Sequence, residues 1–216
     1  FNTLVITNGG KVWTGGWNPI GMAAGCVGNT AIVTGPGSSW VITNVFLVGQ
    51  AGSSNRLEIR NGASVSNGWF AFISDSSNSH GNSVLVTGTN TRWVSRDTLW
   101  LGEYSGRNRL ELRDGAFLSA SNAYLGSGST DWTGNVIEVS GPGTIWTNTG
   151  MVDVRGLDTS LAVSNGATVY AQEVRANAGF GDTPSPVVID GSNTQWFCSG
   201  RVGAGLWSSY GNILVT

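Results

Sequence analysis

A chain of 216 residues with 33 Gly and only 11% charged residues would lean toward disorder, but 40% hydrophobic residues and ten Trp supply ample surface to bury. A net charge of −2 and a single lysine, Lys11, leave no electrostatic footprint for nucleic acid or an anionic membrane. No apolar run reaches the length of a membrane span, so no membrane insertion is expected. Phe1 opens directly into a repeat unit without a charged leader, which places any export signal outside this sequence. Cys26 and Cys198 lack metal-ligand spacing and are expected to be free thiols.

Two unit types alternate along the chain. The first reads N-x-L-x-I-x-N-G-[GA]-x-V at Asn2–Val12, Asn55–Val65 and Asn108–Leu118, with Asp114 in the turn of the third, and at Thr159–Val169, where Thr opens the unit. The second carries a Gly turn and a tryptophan at Asn29–Trp40, Asn82–Trp93, Asn135–Trp146 and Ser185–Trp196. Successive starts lie 27, 26, 27, 26, 27, 24, 26 and 27 residues apart, and Asn212 opens a ninth unit. Self-similarity at such a period marks a solenoid.

Within a unit the first five positions alternate, placing Leu4 and Ile6 inward and Thr3 and Val5 outward. An Asn-Gly or Gly-Pro-Gly turn follows, then a short strand centred on Val12 or Trp40, then a third apolar stretch ending near Gly, as in Leu47-Val48-Gly49. No unit buries its inner face alone; coils stacked at ~4.8 Å make one continuous core. The predicted fold is an all-β right-handed parallel β-solenoid, eight coils of about 26 residues with three short strands each, forming one domain over 1–216. A sandwich or propeller also yields regular short strands, but a 26-residue unit is too short for a four-stranded blade.

Two inward columns follow. One alternates Val12, Trp40, Val65, Trp93, Leu118, Trp146, Val169 and Trp196; the Gly turn of the Trp units is one residue longer and absorbs the difference in spacing. The other is Asn2, Asn29, Asn55, Asn82, Asn108 and Asn135, whose stacked amides are expected to hydrogen-bond along the column.

The motif N-x-[LV]-x-[VI]-x-N-G-A-x-V alternating with V-[ST]-G-P-G-[ST]-x-W and followed by L-x-V-G resembles the passenger repeats of bacterial autotransporters, the repeat class shared with PEP-CTERM-associated exported proteins. The seventh and eighth units depart from it by losing the opening Asn. The resemblance implies a secreted, cell-surface or extracellular solenoid with a structural or adhesive role, and carries no family-wide catalytic residues.

Catalytic candidates are sparse, and no cofactor, metal site or enzymatic activity is expected. Glu111 and Glu138 occupy one outward position on adjacent coils, flanked by Arg109 and Arg113, but Arg56-Glu58-Arg60 repeats the pattern without a second carboxylate, as a solvated charge ladder does. His80 sits in a loop without ligand-spaced partners. The outward threonines Thr3, Thr7, Thr30 and Thr34 suggest an ice-binding face, but Arg56 and Arg60 interrupt it in the third coil.

The third strand offers the strongest binding candidate. Counting one residue before the buried Val or Leu gives an outward column of Pro19, Leu47, Phe72, Trp100 and Tyr124, followed by Asp153, Glu173 and Arg201. Leu47, Phe72, Trp100 and Tyr124 are taken as an exposed apolar strip, either an interaction face or a set of mutually bracing rings. Loop aromatics Tyr104, Trp132, Phe180, Trp207 and Tyr210 are further contact candidates. The expected partners are other copies of the chain, packed laterally or end to end, and surface glycans or proteins. A glycan-binding or glycan-processing β-helix is the alternative function. Both ends stop at the same phase of the repeat without a polar cap, so the sequence reads as a segment of a longer array or an end-stacking subunit.

Overall fold

The computed structural model describes residues 1–126, 133–177, 185–205 and 211–216. Among them no helix occurs; the chain winds through 25 short strands that build three parallel sheets, forming a β-solenoid. The first coil is Thr3–Ile6, Lys11–Thr14 and Asn18–Ile20, and each later coil repeats that order. First strands stack nine deep, from Thr3–Ile6 to Asn212–Val215; second and third strands stack eight deep. Parallel neighbours are compelled here, because every coil travels the same circuit before returning beside its own start.

The predicted Val/Trp column is continuous. Val12 pairs with Trp40, Trp40 with Val65, Val65 with Trp93, Trp93 with Leu118, Leu118 with Trp146, Trp146 with Val169 and Val169 with Trp196. Trp93 and Trp146 are among the largest fully buried side chains, whereas Val12 and Trp196, at the outer coils, are partly exposed. Large and medium side chains alternate because stacking tryptophan on tryptophan at strand spacing would overfill the core. Phe46 wedges against this column, its ring edge-on to Trp40 at 5.2 Å and to Trp93 at 6.3 Å.

The turns give the two unit types their physical meaning. In the Asn-Gly units Asn8, Asn61 and Asn165 take φ of 54°, 56° and 54°, and the following glycines are also left-handed. Each such turn leaves a glycine N–H facing the next coil. Ser38 accepts from Gly9 N at 3.0 Å, Thr91 from Gly62 N at 2.9 Å, Thr144 from Gly115 N at 2.9 Å and Thr194 from Gly166 N at 3.0 Å. All four hydroxyls lie two residues before the tryptophan of the second unit type. The units alternate because one presents the donor and the other the acceptor.

The asparagine column forms as expected. Asn2, Asn29, Asn55 and Asn108 each place backbone N and side-chain Nδ2 on the Oδ1 of the next Asn at 2.8–3.1 Å. Asn82 N donates to Asn108 Oδ1 at 2.9 Å, while its Nδ2 turns to Ser79 Oγ. The ladder demands glycine beside it: a β-carbon at Gly21, Gly49 or Gly102 would overlap the amide of Asn55, Asn82 or Asn135. That is the origin of the Gly closing the third strand. Beyond Asn135 the ladder stops, and the Oγ1 of buried Thr159 has no partner.

Candidate functional site

Among the described residues, the outward face of the third sheet and the turn leading into it carry a cluster of aromatics, Trp69, Phe70, Phe72, Trp100 and Tyr124. Pro19, Leu47, Phe72, Trp100 and Tyr124 are in strand register, as the sequence predicts. The strip is shorter on the surface than expected. Leu47 is 0% exposed, so it is not part of an exposed strip: it lies between Pro19 and the larger Phe72 ring and is overtopped by its surroundings. Phe72, Trp100 and Tyr124 are half-buried.

After Tyr124 the register differs from the predicted one. Asp153 pairs with Arg175, and Arg175 with Gly203, in place of Glu173 and Arg201. The count back from the last buried Val or Leu fails because the inward residues closing the last two third strands are Ala176 and Ala204. Glu173 and Arg201 lie two positions earlier, and Glu173 bonds Arg175 at 2.8 Å, which holds its carboxyl below the usual range.

The rings are arranged in two groups. Trp100 and Tyr124 stack at 4.4 Å with 21° between planes, and the Arg155 guanidinium lies 5.4 Å from the Tyr124 ring on the next coil. Arg155 is held by an ion pair to Asp153, whose side chain is 1% exposed and also accepts from Asn177 Nδ2 at 3.0 Å. Tyr124 therefore spends both faces on neighbours. The second group is Trp69, stacked on Phe70 at 4.7 Å, with Phe70 edge-on to Phe72 at 6.1 Å. Trp69 is 47% exposed, and it was not singled out from the sequence because it lies in the turn before the third strand, outside the alternating pattern.

A carboxylate pair borders this face. Asp75 and Glu103 each lie three residues beyond the aromatic of their own coil, Phe72 and Trp100, which are register partners. Neither forms an ion pair with any described residue. Burial, reinforced by the charge of Glu103, pushes the Asp75 carboxyl up from its ordinary 3.8 to about 6. Burial also raises Glu103, partly offset by a hydrogen bond from Tyr104. Asp75 and Glu103 are not among the sequence candidates; the three-residue offset they share is the signal that marks them.

The carboxylates that the sequence sets on adjacent coils, and reads as a charge ladder, carry arginine partners. Glu111 and Glu138 are in register, and Arg109 bonds both, Nε to Glu111 at 2.5 Å and Nη2 to Glu138 at 2.6 Å. Glu58 is likewise held by Arg56 at 2.7 Å. The arginine between them neutralises the pair as a charge ladder does. Thr30 and Thr34 pair with Arg56 and Arg60, as the interrupted threonine face requires. His80 Nδ1 accepts from Gly106 N at a long 3.5 Å. Cys26 and Cys198 are free.

Tyr104 is 43% exposed; Trp132, Phe180, Trp207 and Tyr210 lie outside the described residues. Among the described residues no cluster of three or more His, Cys, Asp or Glu side chains is placed to hold a metal, and no helix is long and apolar enough to cross a membrane. A cavity of about 520 Å³ opens at the first coil between Leu4, Trp17, Ile20, Met22 and Trp40.

No known family, curated protein or solved structure matches this chain.

Proposed function

We propose that the chain is a structural or adhesive segment of a secreted bacterial surface protein, a stiff solenoid whose aromatic third-sheet face makes contact with surface glycans, proteins or other copies. The observation that supports it best is the unbroken strand register through every coil of all three sheets, reinforced by the hydroxyl and asparagine columns that tie each coil to the next. Such a body holds side chains at fixed axial intervals of ~4.8 Å, which suits repeated presentation. The likeness of the repeat to autotransporter passengers supports export to the cell surface, and the Arg109 bridge supports a charge-ladder role for Glu111 and Glu138 in place of catalysis.

A second reading, a glycan-binding β-helix, draws on two features at opposite ends of the third strand, the exposed ring of Trp69 before it and the Asp75 and Glu103 carboxylates after it. Both readings use one face, and one experiment tests it. Replacing Phe72 and Trp100 together by Ser is expected to leave the fold intact and to weaken retention on immobilised bacterial polysaccharide or concentration-dependent self-association, read by affinity electrophoresis and light scattering. Unchanged behaviour in both assays with an intact fold overturns the contact role. Loss of the fold with unchanged binding by the refolded fraction assigns the rings to bracing alone.

A further inference from the structure

The tryptophans of the second sheet reach toward the preceding coil with their indole N–H groups. The position they reach is two residues beyond the Val or Leu stacked on the ring. In the first coil it is Thr14, whose Oγ1 accepts from Trp40 Nε1 at 3.0 Å. In the third it is Asn67, whose Oδ1 accepts from Trp93 Nε1 at 3.0 Å and whose Nδ2 donates to Ser95 Oγ at 2.8 Å. The same position facing Trp146 is Ala120, and facing Trp196 it is Ala171. Alanine offers no acceptor, and both indole nitrogens are buried without a partner.

Between the two alanines, in the same inward column, stands Asn148. It is the register partner of Ala120, and Ala171 succeeds it on the next coil. Asn148 is 5% exposed, yet neither its Nδ2 nor its Oδ1 has a partner. Four orphaned polar atoms thus surround two places where a side chain has been cut back to a methyl group. Each orphan left dry costs about 1–3 kcal/mol, and native interiors keep few of them. Shortening Asn to Ala withdraws a carboxamide, a volume comparable to the ~30 Å³ share of one water in the liquid. A buried water makes two to four hydrogen bonds, which is what an indole N–H and one side of a carboxamide begin to supply. The column is uncharged throughout, running Thr14, Ile42, Asn67, Ser95, Ala120, Asn148, Ala171 and Cys198, so a neutral ligand is required.

We propose that the interior of coils five to eight binds ordered water at two sites, one over Ala120 serving Trp146 Nε1 and Asn148, the other over Ala171 serving Trp196 Nε1 and Asn148. Asn148 offers both a donor and an acceptor, so one side chain serves both sites.

The test combines atomic-resolution crystallography with oxygen-17 relaxation of water on the same chain. The expected result is a water within hydrogen-bond distance of each indole nitrogen and a matching population of long-lived waters. In Ala120→Asn the first water is displaced, the second stays, and the long-lived population falls by one. Should that variant fail to fold, Asn148→Leu decides. It lowers the melting temperature if the asparagine anchors two waters, and raises it if the site is dry, because leucine then removes two orphans. Dry, empty density at both alanines, or a raised melting temperature in Asn148→Leu, overturns the proposal.

Discussion

In coils three and four the indole of Trp93, the amide of Asn67 and the hydroxyl of Ser95 form a continuous chain of hydrogen bonds that ends on the Trp69 carbonyl, and the asparagine ladder runs through beside them. Coils five to eight keep the same backbone path and the same apolar columns, but Ala120 and Ala171 replace the acceptors, Thr159 and Ser185 replace the ladder amides, and the aromatic column gives way to Asp153 and Arg175. The register survives these losses. The comparison teaches that the apolar columns and the backbone ladders define the solenoid, while the side-chain polar columns add stability locally.

The largest effect expected from this division is in the core. Trp93→Ala should cost ~3–5 kcal/mol in chemical denaturation, because the ring is 1% exposed and the coils above and below are too tightly stacked to close over the void. Trp196→Ala, at a partly exposed position, should cost less than half as much. Equal losses at the two sites would break the comparison.

Next comes the ladder. Asn82→Leu removes the Oδ1 that accepts from both Asn55 N and Asn55 Nδ2, at 2.8 and 3.1 Å, and should cost ~2–4 kcal/mol by leaving both donors buried and unpaired. Thr159→Val, where the ladder has already ended, removes a hydroxyl without a partner and should be neutral or stabilising in the same measurement.

Asp75 sharpens the contrast through pH. Its folded-state value, about 6, lies above the ordinary 3.8, so the fold favours the protonated form. The stability it contributes is fully present below about pH 4 and is lost as pH rises through about 6. Asp75→Asn should therefore match the parent near pH 4 and exceed it at pH 7, by on the order of 1–2 kcal/mol once the partial exposure of the carboxyl is allowed for. Thermal melts across that range read the difference directly. A variant less stable than the parent at pH 7 would contradict the desolvation argument.

The smallest effect belongs to the outward charges. Glu138→Gln breaks the ion pair to Arg109, but both side chains are more than two-fifths exposed, so the loss should stay below ~1 kcal/mol and shrink further in added salt.

The sequence made the core columns legible for a particular reason. Turn length varies by one residue between unit types, yet Val12 and Trp40 keep their places because the extra residue is confined to a Gly-rich turn. Asn2 to Asn135 was legible for the same reason, since the residue opens each strand and precedes any irregularity. Legibility failed where side chains shrink or loops intervene. Alanine at 176 and 204 hid the true end of the third strand and displaced the predicted Glu173 and Arg201. The exposure assigned to Leu47 failed because alternation gives the direction of a side chain and not the height of its neighbours. The hydroxyl column of Ser38, Thr91, Thr144 and Thr194 was visible as a Ser or Thr two residues before each Trp, but its role emerges only when the glycine amide of another coil is placed opposite.

The stacking of coils also fixes how the molecule answers a pull. Each coil is bonded only to the coil above and the coil below. A load applied along the axis at one end therefore falls on the hydrogen bonds of one coil, and those behind it are shielded until it gives way. Each rupture frees about 26 residues, or roughly 85 Å of extended chain at ~3.3 Å per residue. Under tension the solenoid becomes a staircase of yielding steps, dissipating work at each one, with the taller steps at the coils whose asparagine and hydroxyl columns are complete.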